Sequence, residues 1–202
     1  QDPGSDYGRQ KRACRELLST FAQEYEFDCR WIVVPGVLHT DGTWGAGTTE
    51  YALDALLCAA SHKHFNCPVP VDVKLPMILI DDLIEGMLLL QGAAEADLQE
   101  ATQGYAIAGF SFTALELFDE IRKAFPDFTF DTDEPEENAS LFARLWPDSL
   151  SAAEAERDLH FHSMHGMSQT VDMILSAHTR RLQGKEGNGG GAAAGQPRQS
   201  RL

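Results

Sequence analysis

Apolar and polar residues follow a helical period along much of the chain. From Tyr7 to about Glu26, apolar side chains recur at spacings of three and four, which predicts an amphipathic helix. The same periodicity, together with helix-start signals, predicts further helices at about 48–60, 81–91, 113–125 and 167–182.

Short apolar runs between these helices predict strands. The run from Trp31 to Val34 has no polar interruption, which is typical of parallel strands that are buried on both faces. Further strands are predicted at about 75–80, 105–108 and 128–131, whereas Gly36–Gly47 is expected to be a loop. Because strands alternate with helices, the pattern indicates an α/β fold.

Four segments carry residues that favour a helix N-terminus. Thr113–Glu116 and Ser151–Glu154 both have the spacing of a capping box, in which a hydroxyl and a carboxylate accept reciprocal hydrogen bonds from backbone amides. Thr48 or Thr49 is expected to cap the helix that follows, and the Asp81–Asp82 pair to cap the next one.

Composition and charge exclude several classes of protein. A chain of 202 residues with 43% hydrophobic content is long enough to bury one sizeable core. The net charge of -15 argues against nucleic acid or an anionic membrane as a partner. No apolar run approaches the roughly 18 residues that cross a bilayer, so no membrane span is predicted. The four cysteines form no Cys-x-x-Cys pair, and reduced intracellular thiols are expected.

The end of the chain differs in composition from the rest. A bias toward Gly, Ala, Gln and Ser predicts a disordered tail at 184–202, after one α/β domain at 1–183. The last three residues, Ser200-Arg201-Leu202, fit a peroxisomal address signal. The N-terminal residues show neither a secretory apolar core nor an Arg-rich transit pattern.

Three histidines, His160, His162 and His165, lie within six residues and suggest a metal site. Imidazole is a common metal ligand, but no carboxylate or thiol is placed in sequence to complete a defined ligand set. We therefore predict no metal and expect a structural turn here.

Tyr7 and Lys11 are the candidate catalytic pair. Residues four apart on a helix share one face, so the ammonium can lie beside the phenol. A free tyrosine titrates near ~10, and a cation about 4 Å away contributes roughly 4 kcal/mol at an effective dielectric constant of ~20. Such a cation favours the phenolate, and a tyrosine so assisted can act as a general base at neutral pH.

Several motifs follow this pair in a recognisable order. They are Pro35-Gly36-Val37, the Gly-Ala-Gly-Thr-Thr-Glu-Tyr-Ala block at 45–52, the Leu-Pro-Met-Ile-Leu-Ile-Asp-Asp block at 75–82, Ser-Phe-Thr at 111–113 and Leu-Trp-Pro at 145–147. Together they closely resemble the short-chain-type L-threonine 3-dehydrogenases of the extended short-chain dehydrogenase/reductase superfamily, which includes NAD-dependent epimerases and dehydratases. The match runs from about Tyr7 to about Phe161, and the blocks at 45–52 and 75–82 are its most specific parts.

The resemblance implies a fold class and indicates that part of that fold is missing from this chain. It implies the C-terminal portion of a Rossmann-like, doubly wound parallel sheet with a smaller substrate-binding lobe. No strand and Gly-rich turn that would hold the dinucleotide pyrophosphate precedes Tyr7, and we expect the N-terminal dinucleotide-binding half to be missing from this chain.

The resemblance also implies an activity and its residues. The activity is NAD-dependent oxidation of L-threonine to 2-amino-3-oxobutyrate, which feeds glycine formation. Tyr7 would be the general base, and Lys11 would stabilise its phenolate and reach the nicotinamide ribose. Pro35 and Gly36 would lie at the cofactor.

The substrate side of the site is implied by three further residues. Thr48 and Thr49 would contact the amino acid, where hydroxyls and free amides at a helix N-terminus suit a carboxylate. Trp146 would cover the substrate; a tryptophan at such a position also serves as a core or lid residue.

The sequence departs from the family near this site. Val33 and Val34 stand where the family has Arg-Tyr, Ala46 replaces a glycine, and Glu50 replaces an aspartate. The loss of the arginine removes a fixed cation, so threonine binding and catalysis are open to question.

Two alternatives to the dehydrogenase remain. One is a non-catalytic remnant or partner-binding subunit without a cofactor site; the other is a nucleotide-sugar epimerase or dehydratase. A homodimer and a mitochondrial location are expected from the resemblance, with a peroxisomal or cytoplasmic location as the competing readings.

Overall fold

The computed structural model describes residues 3–41, 45, 47–99, 104–132 and 137–187. The helices are α1 (Asp6–Tyr25), α2 (Tyr51–Ala60), α3 (Ile80–Gly92), α4 (Ala114–Ala124), α5 (Glu137–Leu145), α6 (Ala153–Leu159) and α7 (Met167–Gly187), with a short 3-10 helix at Glu95–Asp97. The strands are β1 (Ile32–Val33), β2 (Gly36–Leu38), β3 (Phe65–Asn66), β4 (Lys74–Leu79), β5 (Tyr105–Ala106), β6 (Phe110–Thr113) and β7 (Phe130–Asp131).

The strands form three small sheets whose pairing is mostly parallel. β1 pairs with β5, β2 with β4, and β3 with β7, all in parallel, while β6 runs antiparallel to β4. The predicted α/β class is therefore confirmed, as a mixed α/β fold with parallel pieces.

The central strand β4 shows why this sequence forms a parallel pair. Its residues from Leu75 to Leu79 are all buried, because helices and loops cover both faces. β4 lies between β2 and β6, with Met77 opposite Gly36 in the parallel register. The unbroken apolar run that predicted this strand is thus its buried core.

Two groups of buried residues hold the elements together. The larger contains α2, α4 and α7, together with β4 and β6. Seven of the ten residues of α2 belong to it, which fits a helix that is apolar on most of its surface. The smaller group joins α3, β5 and α6 around Ile107 and Phe161.

Several predicted boundaries need correction. Gly36–Leu38 is a strand and not part of a loop, and β3 and β6 were not predicted. The capping box at Thr113–Glu116 is confirmed, with bonds of 2.7 and 3.2 Å. The box at Ser151–Glu154 is wrong, because Ala152 is the N-cap of α6 and Ser151 accepts only from the amide of Ala153, at 3.3 Å.

Two other caps were also predicted wrongly. α2 begins after Glu50 with no side-chain cap, so neither Thr48 nor Thr49 caps it. α3 begins after Leu79, and the Asp81–Asp82 pair makes no cap hydrogen bond. These threonine and aspartate side chains are therefore available for other contacts.

The C-terminal helix is longer than the sequence pattern suggested. α7 continues to Gly187, four residues into the tail predicted at 184–202. The rest of the predicted tail, including Ser200-Arg201-Leu202, lies outside the described residues, as does Ala46.

Candidate functional site

The Tyr7–Lys11 pair lies in the first turns of α1. Ser5 caps this helix, with its hydroxyl accepting the Gly8 amide at 3.1 Å. The Lys11 ammonium lies 5.4 Å from the centre of the Tyr7 ring, within the range of a cation–π contact. Both side chains are exposed, Tyr7 by 67%. The spacing thus predicted their proximity, and their chemical roles stay a prediction.

The Pro35–Gly36 segment meets Thr49 across a tight contact. Both residues of the segment are buried, where the chain passes from β1 into β2. A Cβ atom on Gly36 would lie 2.4 Å from the Met77 sulfur and 2.7 Å from the Thr49 Cβ, closer than non-bonded atoms come. The structure therefore brings a residue predicted for the cofactor against one predicted for the substrate.

Thr48 and Thr49 lie in a turn that leads into α2. The amide of Gly47 donates to the Glu50 carboxylate, and the amide of Glu50 donates to the Gly47 carbonyl at 3.1 Å. Both threonines are half-buried in this turn. Thr49 also lies next to Gly36, and the contact of the two threonines with substrate stays a prediction.

Trp146 follows α5 and is half-buried against the larger core. Its amide donates to the Ala143 carbonyl at 3.3 Å, which turns the chain at the end of the helix. The preceding residue, Leu145, packs on the segment before α1: a Cβ atom on Gly4 would lie 2.8 Å from Leu145 Cδ2. The C-terminal end of α5 therefore contacts the segment that leads into α1.

Val33 and Val34 stand at the strand end beside this site. Val33 accepts the Ile107 amide at 3.2 Å, so it belongs to the pairing of β1 with β5. Val34 is 40% exposed. An uncharged, partly exposed side chain therefore occupies the place where the family has an aromatic residue, and no guanidinium extends from position 33.

The segment that contains the three histidines is bonded to the Asp82 carboxylate of α3. Asp82 Oδ2 accepts the Ser163 hydroxyl at 2.7 Å and the His165 amide at 3.0 Å, and Asp82 Oδ1 lies 2.8 Å from His165 Nδ1. Within the described ranges, no group of three or more His, Cys, Asp or Glu side chains is arranged to hold a metal ion. The segment is instead fastened to α3 by one carboxylate.

Asp82 is a buried charge that sequence reasoning missed. Its side chain is almost fully buried, and burial raises the pKa of the carboxyl. The hydrogen bonds from Ser163 and His165 outweigh burial, so the pKa lies below its ordinary value. No local spacing signals this contact, because its partners lie 81 and 83 residues further along the chain.

A second buried carboxylate, Asp158, joins β5 to α6. It accepts hydrogen bonds from the Arg157 guanidinium, from the Tyr105 hydroxyl at 2.7 Å and from the Gln99 amide at 3.1 Å. The bond from Arg157 is the largest influence, and the pKa of Asp158 is held well below its ordinary value. Asp158 lines a groove of about 700 Å³ beside α3, which contains none of the predicted site residues.

The loop after β2 is held by α7. The Arg181 guanidinium donates to the Thr40 carbonyl and lies 3.8 Å from the Asp41 carboxylate. His178 is buried one turn earlier on α7, and burial lowers its pKa, assisted by the positive charge of Arg181 and by His39. The chain that leads toward the Thr48–Thr49 turn is thus anchored on the C-terminal helix.

Comparison with known proteins identifies the class of fold. The chain superimposes on a partial consensus L-threonine 3-dehydrogenase with a TM-score of 0.84 and 29% identity, over 89% of this chain and 57% of that one. The mixed α/β arrangement therefore matches the Rossmann-like fold of the epimerase/dehydratase proteins. No protein-family model matches the chain.

Curated relatives agree with the structural match. The mitochondrial L-threonine 3-dehydrogenase of Sus scrofa is 29% identical over 180 residues, which are 88% of this chain and 47% of that protein. An uncharacterised epimerase/dehydratase of Staphylococcus aureus is 26% identical over 188 residues, 93% of this chain and 58% of that protein. The chain spans about half the length of the curated relatives it matches.

These findings confirm the resemblance seen in the sequence. The homologues and structural neighbours of this chain are L-threonine 3-dehydrogenases and members of the epimerase/dehydratase family. Across the described ranges, no helix combines the length and apolar content needed to cross a bilayer.

Proposed function

We propose that the protein to which this chain belongs oxidises the 3-hydroxyl of L-threonine to give 2-amino-3-oxobutyrate, with NAD as cofactor. The observation that carries the proposal is the placement of the Lys11 ammonium 5.4 Å from the centre of the Tyr7 ring. The relatives named above support the choice of substrate and reaction.

Tyr7 and Lys11 perform the proton transfer in this proposal. Tyr7 acts as the general base that accepts the hydroxyl proton of threonine, and the Lys11 ammonium, 5.4 Å from the centre of the Tyr7 ring, supplies the neighbouring positive charge. Because both side chains are exposed, a bound substrate reaches them without any displacement of the core.

The residues present fit a dinucleotide in part. Tyr7 and Lys11 offer an exposed hydroxyl and an exposed ammonium, which suit the hydroxyls of a ribose. Pro35 and Gly36 are both buried, and Gly36 lies against Met77 and Thr49, so this segment would form the buried support beneath the cofactor. When held there, NAD would supply the acceptor for the hydride that leaves C3 of threonine.

Thr48, Thr49 and Trp146 bind and orient the amino acid. Thr49 lies against Gly36 and Thr48 precedes it in the turn at 47–50, and the hydroxyls of both residues suit the carboxylate of threonine. Trp146 offers an apolar surface at the helix end that meets the start of α1. Val33 in place of the arginine of the family removes a fixed cation, so the substrate is less strongly anchored here.

The test uses direct binding and turnover. L-threonine and NAD are titrated separately into the purified chain by isothermal calorimetry, and NADH absorbance is followed with both present. The same measurements are made on the longest product that the gene encodes. Saturable, NAD-dependent threonine oxidation by either protein supports the proposal. Turnover of a UDP-sugar in preference to threonine, or no threonine binding by either protein, overturns it.

A second candidate, a partner-binding protein without catalysis, is favoured by α1. Every residue of this helix is exposed or partly exposed, including the apolar side chains of Leu17, Phe21 and Tyr25. Exposed apolar surface of this kind marks interaction sites. Self-association into a homodimer belongs to the same expectation, and light scattering of the wild-type chain and of a Leu17→Glu variant measures it.

The cellular location of this protein is also proposed from its similarity to known proteins. We infer a mitochondrial location from the similarity to the mitochondrial L-threonine 3-dehydrogenase of Sus scrofa. Localisation of the tagged full-length product distinguishes this from a peroxisomal or cytoplasmic location. The tag is placed upstream, so that Ser200-Arg201-Leu202 stays at the end of the chain.

A further inference from the structure

The turn that carries Thr48 and Thr49 is closed by the residue that follows it. The Glu50 carboxylate accepts the amide of Gly47, and the amide of Glu50 donates to the Gly47 carbonyl at 3.1 Å. Two bonds between the same two residues enclose the threonines. The conformation of the turn therefore depends on a side chain that touches neither threonine hydroxyl.

The same three-residue spacing occurs at the start of α4, where it forms a complete capping box. There the Glu116 carboxylate accepts the Thr113 amide at 2.7 Å, and the Thr113 hydroxyl accepts the Glu116 amide at 3.2 Å. Position 47 is a glycine and has no hydroxyl to supply the second half of the box. The Glu50 carboxylate is thus the side-chain group that closes this turn.

The glycines around the turn leave room for that carboxylate. A Cβ atom on Gly45 would lie 3.4 Å from the Glu50 carboxylate oxygens, and one on Gly47 would lie 3.5 Å from its carboxyl carbon. The backbone at these two positions therefore lies directly against the charged group. An ionised carboxylate binds an amide more strongly than a neutral amide side chain does, and its charge suits the N-terminus of α2.

The other side of the turn is fixed by packing. Thr49 lies against Gly36, with Met77 on the same side. The threonines are therefore held between a packed contact and a charged hydrogen bond. Removal of the hydrogen bond leaves the packed contact and frees the backbone of the turn.

We infer that Glu50 is a positioning residue, whose carboxylate holds the backbone of Thr48 and Thr49 in the arrangement that receives the carboxylate of an amino-acid substrate. This inference rests on the proposed function, since the substrate is the one proposed there. Glu50 acts through the turn and does not itself bind the substrate.

The experiment compares Glu50→Ala and Glu50→Gln with the wild-type chain, and uses Glu85→Ala as a matched control. Glu85 is an exposed glutamate on α3, away from the turn. Amide exchange at Gly47, Thr48 and Thr49 is measured by NMR without ligand, and L-threonine affinity is measured by calorimetry. In any active form of the protein, KM and kcat for threonine are also separated.

The expected results differ between the variants. Glu50→Ala exchanges the Gly47 amide roughly tenfold faster and binds threonine about five- to tenfold more weakly, as loss of one charge-assisted hydrogen bond predicts. Glu50→Gln keeps an acceptor oxygen. Its Gly47 exchange rate and its threonine affinity should each lie about midway between those of wild type and Glu50→Ala on a logarithmic scale. KM rises while kcat changes by less than about twofold, because the residue does not touch the reacting atoms. Glu85→Ala leaves all of these quantities unchanged.

Two results overturn the inference. A Gly47 amide that exchanges equally in wild type and Glu50→Ala shows that the carboxylate does not close the turn. In the other result, the Glu50→Gln variant loses threonine binding while the exchange rates of the Gly47, Thr48 and Thr49 amides stay unchanged. That result shows that Glu50 contacts the substrate instead. If wild-type chain and full-length product bind no threonine while the amides still respond to Glu50, the proposed function fails and closure of the turn stands.

Discussion

The Asp82 carboxylate accepts the hydroxyl of Ser163 at 2.7 Å, across 81 residues of chain. His165 adds its amide and its ring nitrogen to the same carboxylate. The first turn of α3 is thereby fixed to the segment that connects α6 with α7. Since α3 begins directly after β4, this contact secures the strand that supports Gly36 and Thr49.

Asp82→Ala is expected to lower the free energy of unfolding by roughly 2–4 kcal/mol, because it leaves the half-buried donors of Ser163 and His165 without their buried carboxylate acceptor. Urea denaturation measures the change, with the neighbouring exposed Asp81→Asn as control. Because the pKa of Asp82 is lowered in the folded chain, its contribution is present above the ordinary value of 3.8 and is lost as pH falls through the folded pKa. The difference between wild type and variant should therefore shrink at strongly acidic pH. A constant difference down to that pH would contradict the assignment.

Tyr7→Phe is expected to reduce threonine oxidation by about 10²–10⁴-fold, the usual contribution of a general base, without a measurable change in unfolding temperature. Stability is unaffected because Tyr7 is 67% exposed. Tyr25→Phe is the matched control, since Tyr25 lies on the same helix and is 65% exposed. Full activity in Tyr7→Phe removes the proposed base.

Gly36→Ala is expected to destabilise the fold by about 1–3 kcal/mol, because the added methyl group has no space between Met77 and Thr49. It should also weaken threonine binding, since Thr49 must move. Gly92→Ala is the control: a Cβ atom there meets no atom within 4 Å, and no loss of stability is expected. Thermal unfolding and threonine calorimetry of both variants test the prediction, and equal behaviour of the two would refute the close contact.

His178 should make the fold sensitive to mild acid. Its pKa is lowered by burial first, and then by Arg181 and His39. The unfolded chain therefore takes up this proton more readily, so the stability that neutral His178 provides is present above about pH 6.5 and is lost as pH falls below it. Wild type should lose stability between about pH 7 and 5, and His178→Gln should lose less over that interval. Exposed His162→Gln should behave as wild type in the same pH series of urea melts.

Local sequence patterns predicted the elements whose determinants are local. The apolar period located α1 and α7, and the capping box located the first residue of α4, because these signals lie within a few residues of one another. The same box failed at Ser151, where the chain turns into α6 one residue later than the spacing implies.

The site was predictable to a smaller extent. The Tyr7–Lys11 contact follows from helix geometry alone. Strand β2 was missed because its first residue is Gly36, whose place is set by the Met77 side chain opposite it and not by β propensity. The Asp82 contacts with Ser163 and His165 could not be predicted, since they exist only once distant segments have packed.

The contact at Gly36 makes three positions interdependent. Met77 and Thr49 both occupy the space that a side chain at position 36 would need. A larger side chain at position 77 or 49 would therefore clash with the other residue across Gly36. Related sequences should therefore exchange these three residues together, so that covariation among them reports on changes in substrate choice. Any attempt to re-engineer the pocket must redesign this triplet as a unit.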